Sequence, residues 1–318
     1  MIRPMLCRLA ARPHDDPGWV WERKYDGVRM LVITGPDGSV RLQARSGTDK
    51  TPQFPELADG VGVGAPLDSV LDGEVVGSRG LTFQEFAQRR VNRTDGIAAM
   101  AAECPAFFAA FDAIRLDGVD WSMMPLRWRR DLLKKHVGGQ QVVFPTESGS
   151  GTAMFECAKE NGWEGVVGKD LSQPYLFGKR AWLKVKVWQE GVFMLCDPVP
   201  GLGRRDGMAG SFALMDLCGK YVGHVGTGFD EAELRRLTVL VRTGDSPVYA
   251  KVKYVEMTND GKLRFPVYLR QIGRDGLAPN EAATCQLSPR PYCPFVECQH
   301  HTQSSLKQAP DGPPQAPR

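Results

Sequence analysis

The sequence lacks the features that mark membrane-spanning, secreted and strongly charged proteins. None of its hydrophobic runs approaches the ~20 residues that a helix needs to cross a bilayer, and its first residues contain no signal-peptide core. The formal net charge is only +3 over 318 residues, so global charge identifies no partner. We therefore expect a cytoplasmic protein without a membrane partner, long enough to form two domains.

A recognisable zinc motif is also missing. Of eight cysteines, Cys285, Cys293 and Cys298 cluster near His300 and His301. Their gaps match no paired CxxC arrangement, although cysteine and histidine are the usual zinc ligands. A structural metal in this region therefore stays open as an alternative to an ordinary tail.

The sequence does contain a charged segment between two apolar strands. Trp19–Trp21 and Met30–Ile33 are typical of strands, and the segment between them reads ERKYDGVR. Charge in such a place does not serve stability alone, and burial that lowers the pKa of Lys24 would make it a usable nucleophile. Gly27 would let the backbone approach a ligand, and the Arg29 fork suits phosphate oxygens. A solvated hairpin turn is the alternative.

Other predicted strands carry charge as well. Asp72 and Glu74 share a strand face, and two such acids repel each other unless a cation, an arginine or a sugar hydroxyl is near. Lys184 and Lys186 share one face of a strictly alternating strand, and Glu164 opens a glycine-punctuated strand. The alternatives are a simple turn after Asp72 and a solvated outer face for the two lysines.

The pattern of predicted secondary-structure elements changes after residue 188. Before it, strands alternate with helices, including a basic helix over 126–137 whose charges we interpret as a solvated face. After it come short strands, a basic loop over 201–210 that either contacts phosphates or is mobile, and one helix over 230–242. This pattern suits an oligonucleotide-binding (OB) barrel, and the end of the chain has the Pro- and Gln-rich composition of disorder. The expected domains are 1–188, 189–286 and a disordered tail over 287–318.

Six short motifs occur in an order that resembles the covalent nucleotidyltransferase superfamily, which contains ATP-dependent DNA ligases, RNA ligases and mRNA capping enzymes. They are Lys24-x-Asp26-Gly27-x-Arg29, Arg45-Ser46-Gly47, Asp72-Gly73-Glu74, Phe111-Asp112, Glu164-Gly165-Val166-Val167-x-Lys169 and Lys184-x-Lys186. Each motif alone is weak, whereas all six in family order over residues 4–285 are specific. Glu22, GHVGTGF over 223–229 and LRFPVYLR over 263–270 look most like short, two-domain bacterial and phage ATP-dependent DNA ligases.

The resemblance implies an α+β fold, in which a nucleotidyltransferase (adenylation) domain of antiparallel sheets with flanking helices precedes an OB-fold β-barrel. It implies an ATP-dependent DNA ligase that seals 5′-phosphate/3′-hydroxyl nicks through lysyl-AMP and DNA-adenylate, in repair, replication or recombination. ATP and Mg²⁺ are the expected cofactors, with Mn²⁺ as a substitute. The expected partner is nicked double-stranded DNA and the expected state is a monomer, while the sequence identifies no recruiting protein.

The same resemblance implies roles for the residues that hold the nucleotide. Lys24 attacks the α-phosphorus of ATP, and Glu22 contacts the adenine amino group. Phe111, interpreted as an aromatic residue at a strand end, stacks on adenine. Glu74 binds the ribose, and Arg45 contacts ribose or phosphate.

Further charged residues would assist the chemistry. Arg29, Lys184 and Lys186 are expected to lower the pKa of the nucleophile and to stabilise charge on the reacting phosphate. Glu74 and Glu164 are the expected Mg²⁺ ligands, because Mg²⁺ prefers one or two carboxylates together with phosphate oxygens.

One position departs from the family pattern. The last motif usually supplies a lysine that orients pyrophosphate, whereas this sequence reads Arg274-Asp275-Gly276. We therefore expect slower self-adenylation, but not its loss.

Two other functions share parts of the pattern. An RNA ligase or a GTP-using capping-type enzyme uses the same chemistry, and the preference for ATP rests on Glu22 and on the family likeness. A non-catalytic nucleic-acid-binding module would keep the barrel. Such a module would have no need for buried charge at Lys24, Glu74 and Glu164.

Overall fold

The structure, a computed structural model, describes residues 1–59, 63–78, 81–244, 246–258 and 260–273. It divides into two compact units, of which the first is Met1–Val187 and the second begins at Trp188. The predicted tail, the Arg274-Asp275-Gly276 segment and the cysteine–histidine cluster lie outside the described residues. Within the described ranges, no helix is long and apolar enough to cross a membrane.

Two sheets and five short α-helices form the described part of the first unit. Its strands are β1 (Leu6–Leu9), β2 (Trp19–Arg23), β3 (Val28–Thr34), β4 (Val40–Ala44), β5 (Ser69–Gly77), β6 (Ala106–Leu116), β7 (Val119–Asp120), β8 (Val142–Val143), β9 (Glu147–Ser148), β10 (Gly165–Asp170) and β11 (Arg180–Lys186). Its helices are α1 (Pro55–Ala58), α2 (Phe83–Phe86), α3 (Ile97–Glu103), α4 (Leu126–His136) and α5 (Gly151–Glu160). A 3-10 helix spans Thr51–Gln53, and a π-helix spans Ala87–Val91.

The strands are ordered β1-β11-β10-β2-β9 in sheet I and β4-β3-β5-β6-β7 in sheet II, with β8 beside β6. Most neighbours are antiparallel, but β1 runs parallel to β11 and β8 runs parallel to β6. Side chains alternate between the two faces of each strand, so each sheet presents two different surfaces. One face of sheet I is apolar and packs Trp21, Val166 and Val185 against Met154 of α5.

The other face of sheet I meets sheet II. Trp182 of sheet I packs with Leu31, Val70 and Ile114 of sheet II in one buried cluster. The far face of sheet II buries a larger cluster, built on residues such as Phe108 and covered in part by the short helices. The unit is therefore two facing sheets with helices outside them, and charged residues on the facing surfaces lie in the interior.

The segment between β2 and β3 passes from one sheet to the other. Because β2 pairs in sheet I and β3 in sheet II, residues 24–27 do not form a hairpin turn, and that alternative is wrong. A Cβ atom added at Gly27 would lie 2.3 Å from the Val75 carbonyl oxygen of β5. Glycine is thus required here because the backbone approaches β5.

The second unit is built on one antiparallel sheet. Its strands are β12 (Gln189–Pro200), β13 (Ala209–Met215), β14 (Tyr221–Val225), β15 (Val248–Tyr254) and β16 (Val267–Ile272), and its helix is α6 (Glu231–Thr243). The strand order is β14-β13-β12-β15-β16. Leu234 and Leu237 of α6 pack on Phe193 and Phe212 of the sheet. Asp230 caps α6 by accepting a hydrogen bond from the Glu233 amide at 2.8 Å.

The basic loop over 201–210 is braced by its own residues. A 3-10 helix spans Gly203–Arg205. The Nη1 atom of Arg205 donates to the carbonyl oxygens of Gly210 and Gly226, each at 2.8 Å, and Met208 is buried. These contacts tie the base of the loop to the sheet, while Leu202 and Arg204 are exposed.

The solvated-face interpretation of the basic helix is wrong for two of its arginines. Arg129 and Arg130 of α4 are both buried. Arg129 forms a bidentate pair with Asp112, with both N–O distances at 2.8 Å, and Arg130 pairs with Glu147. The helix therefore turns part of its charge inward, where carboxylates on strands compensate it.

Candidate active site

A pocket lies within the first unit. It is lined by Cys7, Glu22, Arg23, Lys24, Tyr25, Arg29, Glu74, Phe111, Val167, Lys169 and Trp182. These residues come from both sheets and from the segment that joins β2 to β3. Five of the residues predicted from sequence line it: Glu22, Lys24, Arg29, Glu74 and Phe111.

Lys24 lies at the start of the crossing segment and reaches into this pocket. Its side chain is only 20% exposed, and its Nζ forms an ion pair with Glu164. The Nζ of Lys186 lies 3.4 Å from the other carboxylate oxygen of Glu164. One carboxylate thus accepts from two ammonium groups and holds both beside the pocket.

The two lysines of β11 do not lie on an outer face. The Lys186 side chain is 12% exposed. Burial lowers the pKa of Lys186; Glu164 opposes the shift, whereas Lys24 and Lys184 add to it. Lys184 is half-buried, pairs in register with Val167 of the pocket, and makes no ion pair with the described residues. The solvated-face alternative for this pair is therefore wrong.

The guanidinium group of Arg29 is already engaged in an ion pair. Its Nε and Nη2 atoms donate to the two carboxylate oxygens of Asp72 at 2.5 Å and 2.6 Å. Asp72 is fully buried and also accepts a hydrogen bond from the Tyr175 hydroxyl at 2.5 Å. The guanidinium plane lies 4.5 Å from the Phe111 ring centroid. Arg29 therefore contributes positive charge and a planar face. It also supplies Asp72 with the compensating positive charge that two acids on one strand face were expected to need.

Glu74 carries an unusual carboxyl group. Burial raises its pKa to about 7; Arg29 and Lys24 oppose the shift, while Glu164 and Asp72 add to it. Register places Glu74 directly opposite Arg29 across β3 and β5. Added positive charge from a ligand or a metal ion would favour the ionised form of this carboxyl.

Phe111 lines the pocket from the middle of β6, not from a strand end as expected. Its ring meets Trp182 edge-on, with the centroids 5.7 Å apart and the planes at 86°. Two cations lie over its faces, Arg29 and the Lys169 ammonium, the latter 4.1 Å from the centroid.

The deepest ion pair in the pocket was not given a role from sequence. Lys169 is 1% exposed, and its Nζ lies 2.6 Å from Oε2 of Glu22, which is also buried. Arg130 of α4 approaches the other oxygen, Oε1, at 3.4 Å. The alternation of side chains along the strands could have revealed this pair. Because β2 and β10 are antiparallel neighbours, Glu22 and Lys169 project to the same face of the sheet.

Arg45 is the predicted residue that the pocket does not include. It is exposed in the turn after β4 and is not among the lining residues. Glu164, Lys184 and Lys186 also fall outside the lining, but Glu164 and Lys186 are joined to Lys24 through ion pairs.

Among the described residues, no group of three or more histidine, cysteine, aspartate or glutamate side chains could hold a metal by itself. Glu74 and Glu164 are nevertheless close enough to act on each other electrostatically. Mg²⁺ usually takes one or two carboxylates and completes its shell with water and phosphate oxygens. This donor pair fits such a hydrated ion, and not an all-protein cage.

Comparison with known proteins identifies the family of the chain. Residues 4–186 match the family described as ATP dependent DNA ligase domain, and residues 200–271 match the DNA ligase OB-like domain. The chain is 32% identical over 275 residues to the multifunctional non-homologous end joining DNA repair protein LigD of Mycobacterium tuberculosis, covering 77% of this chain and 35% of LigD. It is 35% identical over 196 residues to DNA ligase C1 of Mycolicibacterium smegmatis, covering 58% of this chain and 56% of that ligase. The chain thus matches only part of the length of each relative.

Solved structures give the same fold. The ligase domain from M. tuberculosis LigD has a TM-score of 0.52 at 26% identity, covering 85% of this chain and 95% of that domain. A Lig E DNA ligase has a TM-score of 0.62 at 19% identity, covering 86% and 100% of the two chains. The predicted fold class, a nucleotidyltransferase domain followed by an OB-like domain, and the predicted family resemblance are both confirmed.

Proposed function

Since the chain belongs to the family of ATP-dependent DNA ligases, we propose that it is an ATP-dependent DNA ligase that joins 5′-phosphate and 3′-hydroxyl ends at nicks in double-stranded DNA. The observation that carries this proposal is the position of Lys24. Its amine is largely shielded, lies in a pocket with a buried acid and aromatic walls, and is paired with a carboxylate that a second lysine shares.

In the first step the Lys24 amine attacks the α-phosphorus of ATP. The ammonium first loses a proton, to solvent or to Glu164, which accepts its hydrogen bond. A nitrogen–phosphorus bond then forms while the bond to the leaving pyrophosphate breaks, and the product is lysyl-AMP. Lys184 and Lys186 supply positive charge next to the reacting phosphate, where preorganised cations stabilise the transition state.

The other pocket residues bind and orient the nucleotide. Glu74 accepts from ribose hydroxyls, Phe111 and Trp182 supply aromatic surface for the base, and Glu22 accepts from the adenine amino group. Arg29, held by Asp72, keeps a fixed positive charge near Glu74. Arg45 is not among the residues that line this pocket, so its contact with ribose or phosphate remains a prediction.

Glu74 and Glu164 are the residues that would hold Mg²⁺ or Mn²⁺. When bound, such an ion supplies charge neutralisation of the triphosphate. Its charge would also favour the ionised form of Glu74, whose pKa is raised to about 7.

Two further transfers complete the reaction. The nick's 5′-phosphate attacks the phosphorus of lysyl-AMP, the nitrogen–phosphorus bond breaks, and Lys24 is restored. The 3′-hydroxyl then attacks the activated 5′-phosphate, and AMP leaves as the phosphodiester bond forms. Because one matched relative is named as an end-joining DNA repair protein, we assign the activity to DNA repair in the cytoplasm. Replication, recombination and the monomeric state remain predictions.

The test is self-adenylation with labelled ATP and Mg²⁺, followed by sealing of a nicked duplex. Wild type should form a covalent AMP adduct, and Lys24→Ala should form none, because it lacks the attacking nitrogen. Lys159→Ala, an exposed lysine on α5, serves as the matched control and should behave as wild type.

Parallel reactions with GTP, and with DNA/DNA, DNA/RNA and RNA/RNA nicks, distinguish the proposal from an RNA ligase or a capping-type enzyme. Sealing by Lys24→Ala that had never carried AMP would contradict the assignment of the nucleophile. A wild-type adduct formed only with GTP would contradict the ATP-dependent activity.

A further inference from the structure

Arg23 lines the pocket beside Lys24, and no described carboxylate compensates its charge. Among the described residues, its side chain makes no hydrogen bond and no ion pair, and its Nε atom is buried without an acceptor. The acids nearest to it in the pocket, Glu22 and Glu164, are paired with lysines. A buried N–H group that lacks an acceptor favours a ligand that supplies one.

The other arginines in the interior of the first unit are all paired. Its described residues include five further arginines that are buried or half-buried. Each forms an ion pair with a carboxylate: Arg29 with Asp72, Arg90 with Glu56, Arg115 with Asp68, Arg129 with Asp112, and Arg130 with Glu147. Arg23 departs from this rule at the one place where a charged substrate would arrive.

Two aromatic rings hold the Arg23 guanidinium in place. Its Cζ atom lies 4.6 Å from the ring centroid of Tyr25 and 4.8 Å from that of Trp163. Ring faces stabilise the cation and restrict the side chain, but they leave the N–H groups in the guanidinium plane for another acceptor. A planar fork that is already restricted suits phosphate oxygens and loses little freedom on binding them.

The same rings place Arg23 beside the reacting amine. Tyr25 follows Lys24, Trp163 precedes Glu164, and the Lys24 amide donates to the Gly165 carbonyl oxygen at 3.0 Å. The guanidinium is thus anchored to both segments that form the Lys24–Glu164 ion pair. Side chains alternate along β2, so Arg23 projects to the face opposite that of the preceding residue, which was assigned to the base. This position favours a contact with phosphate and not with the base.

We propose that Arg23 is a phosphate-binding residue, whose guanidinium donates hydrogen bonds to phosphate oxygens next to Lys24. This inference rests on the proposed function, because it concerns a substrate of the same site. Two substrates bring phosphate to this amine: ATP, through the pyrophosphate that leaves, and nicked DNA, through its 5′-phosphate end. Both offer the same chemistry, and the reaction steps separate them.

The experiment measures half-saturating substrate concentrations in three single-turnover reactions. They are self-adenylation against ATP, return of AMP from preformed lysyl-AMP to added pyrophosphate, and transfer of AMP from preformed lysyl-AMP to a nicked duplex. The variant is Arg23→Met, because methionine keeps an unbranched chain that packs against the two rings while it removes the charge and the fork.

If the phosphate belongs to ATP, the half-saturating concentrations of ATP and of pyrophosphate should both rise about 10-fold or more, as is typical when a charge-assisted hydrogen bond is lost. That of the nick should then change less than about threefold. If the phosphate belongs to DNA, the pattern should reverse, and the slope of log affinity for the nick against log salt should fall by about 1. Either pattern supports the proposal and assigns the source.

Two further variants sharpen the result. Arg23→Lys, which keeps the charge but not the planar fork, should restore part of the lost affinity. Arg115→Met is the matched control, since Arg115 is also half-buried but pairs with Asp68 and does not line the pocket. It should behave as wild type in all three reactions. If Arg23→Met does not fold, as judged by thermal unfolding, Arg23→Gln is measured in the same way.

Equal changes with ATP, pyrophosphate and the nick would indicate a structural role of the aromatic contacts and would overturn the proposal. Unchanged half-saturating concentrations for all three would overturn it as well, whatever happens to the maximal rates. Absence of any adduct in wild type would instead overturn the proposed ligase function. The two failures are therefore distinguishable.

Discussion

The interiors of the two units differ in how they use charge. The described part of the first unit buries seven charged side chains: Glu22, Asp72, Arg90, Asp112, Arg129, Arg130 and Lys169. The described part of the second unit buries none, and its one buried polar side chain is Thr238. Thr238 is fully used, since it donates to the Leu234 carbonyl oxygen and accepts from the Ala209 amide.

Buried ion pairs are weak contributors to stability compared with well-packed apolar groups, because desolvation offsets most of their attraction. The second unit shows that this chain can build a core without them. Four of the seven buried charges, Glu22, Asp72, Lys169 and Arg130, line the pocket or contact a residue that does. The difference therefore indicates that the first unit keeps internal charge for its site, at a cost in stability that its apolar clusters must offset.

We expect the largest loss of stability when one partner of the fully buried Arg129–Asp112 ion pair is removed. Arg129→Ala leaves Asp112 buried without its cation, and we expect a loss of about 4 kcal/mol in the free energy of unfolding. Urea unfolding followed by circular dichroism measures it. The double variant Arg129→Met with Asp112→Leu should lose much less, because no unpaired charge remains. Equal losses in the two variants would contradict the role assigned to charge.

The matching change in the second unit concerns an apolar side chain. Leu237 of α6 is fully buried, and Leu237→Ala should cost about 3 kcal/mol through lost burial and a residual cavity. This loss should not depend on pH or salt, because no charged group is buried nearby. A strong salt dependence in the same urea experiment would show that the second core also relies on charge.

The smallest expected effect concerns pH. Burial raises the pKa of Glu74 to about 7 from 4.5, so the folded protein holds a proton that the unfolded chain releases. The contribution of Glu74 to stability is therefore present at low pH and is lost as pH rises from 4.5 through about 7. Glu74→Gln should remove about 1–2 kcal/mol of this decline.

Urea unfolding of wild type and Glu74→Gln at about pH 5 and about pH 8.5 tests the sign. Glu160→Gln, at the exposed end of α5, is the control and should follow wild type at both pH values. A wild-type protein that gains stability relative to Glu74→Gln on raising the pH would contradict the raised pKa.

Much of this organisation could be predicted from sequence. Strict alternation located β11, and an apolar run located β5. The shared face of Asp72 and Glu74 required a cation, an arginine or a sugar hydroxyl nearby, and Arg29 is the group that pairs with Asp72. The helix predicted over 230–242 agrees within one residue at each end with α6 (Glu231–Thr243). Local pattern carries such information because it depends on neighbours in the chain.

What could not be predicted depends on contacts between distant segments. The Asp26-Gly27 pair reads as a hairpin turn, and only the assignment of β2 and β3 to different sheets excludes it. The burial of Arg129 and Arg130 depends on their ion pairs with Asp112 and Glu147, which lie on two different strands, β6 and β9. The burial of Lys169 depends on its ion pair with Glu22, far earlier in the chain. The predicted domain limits and site roles remain predictions, and Arg45 is placed away from the pocket.

The crossing between the sheets fixes the length of the chain around the nucleophile. Four residues, 24–27, connect β2 to β3, and four residues can span at most ~14 Å when fully extended. An inserted residue would create slack at the one place where the amine must be held against its carboxylate, and a deletion would pull one sheet out of register. We therefore expect this unit to tolerate insertions in its surface loops better than any change in the length of this four-residue connection.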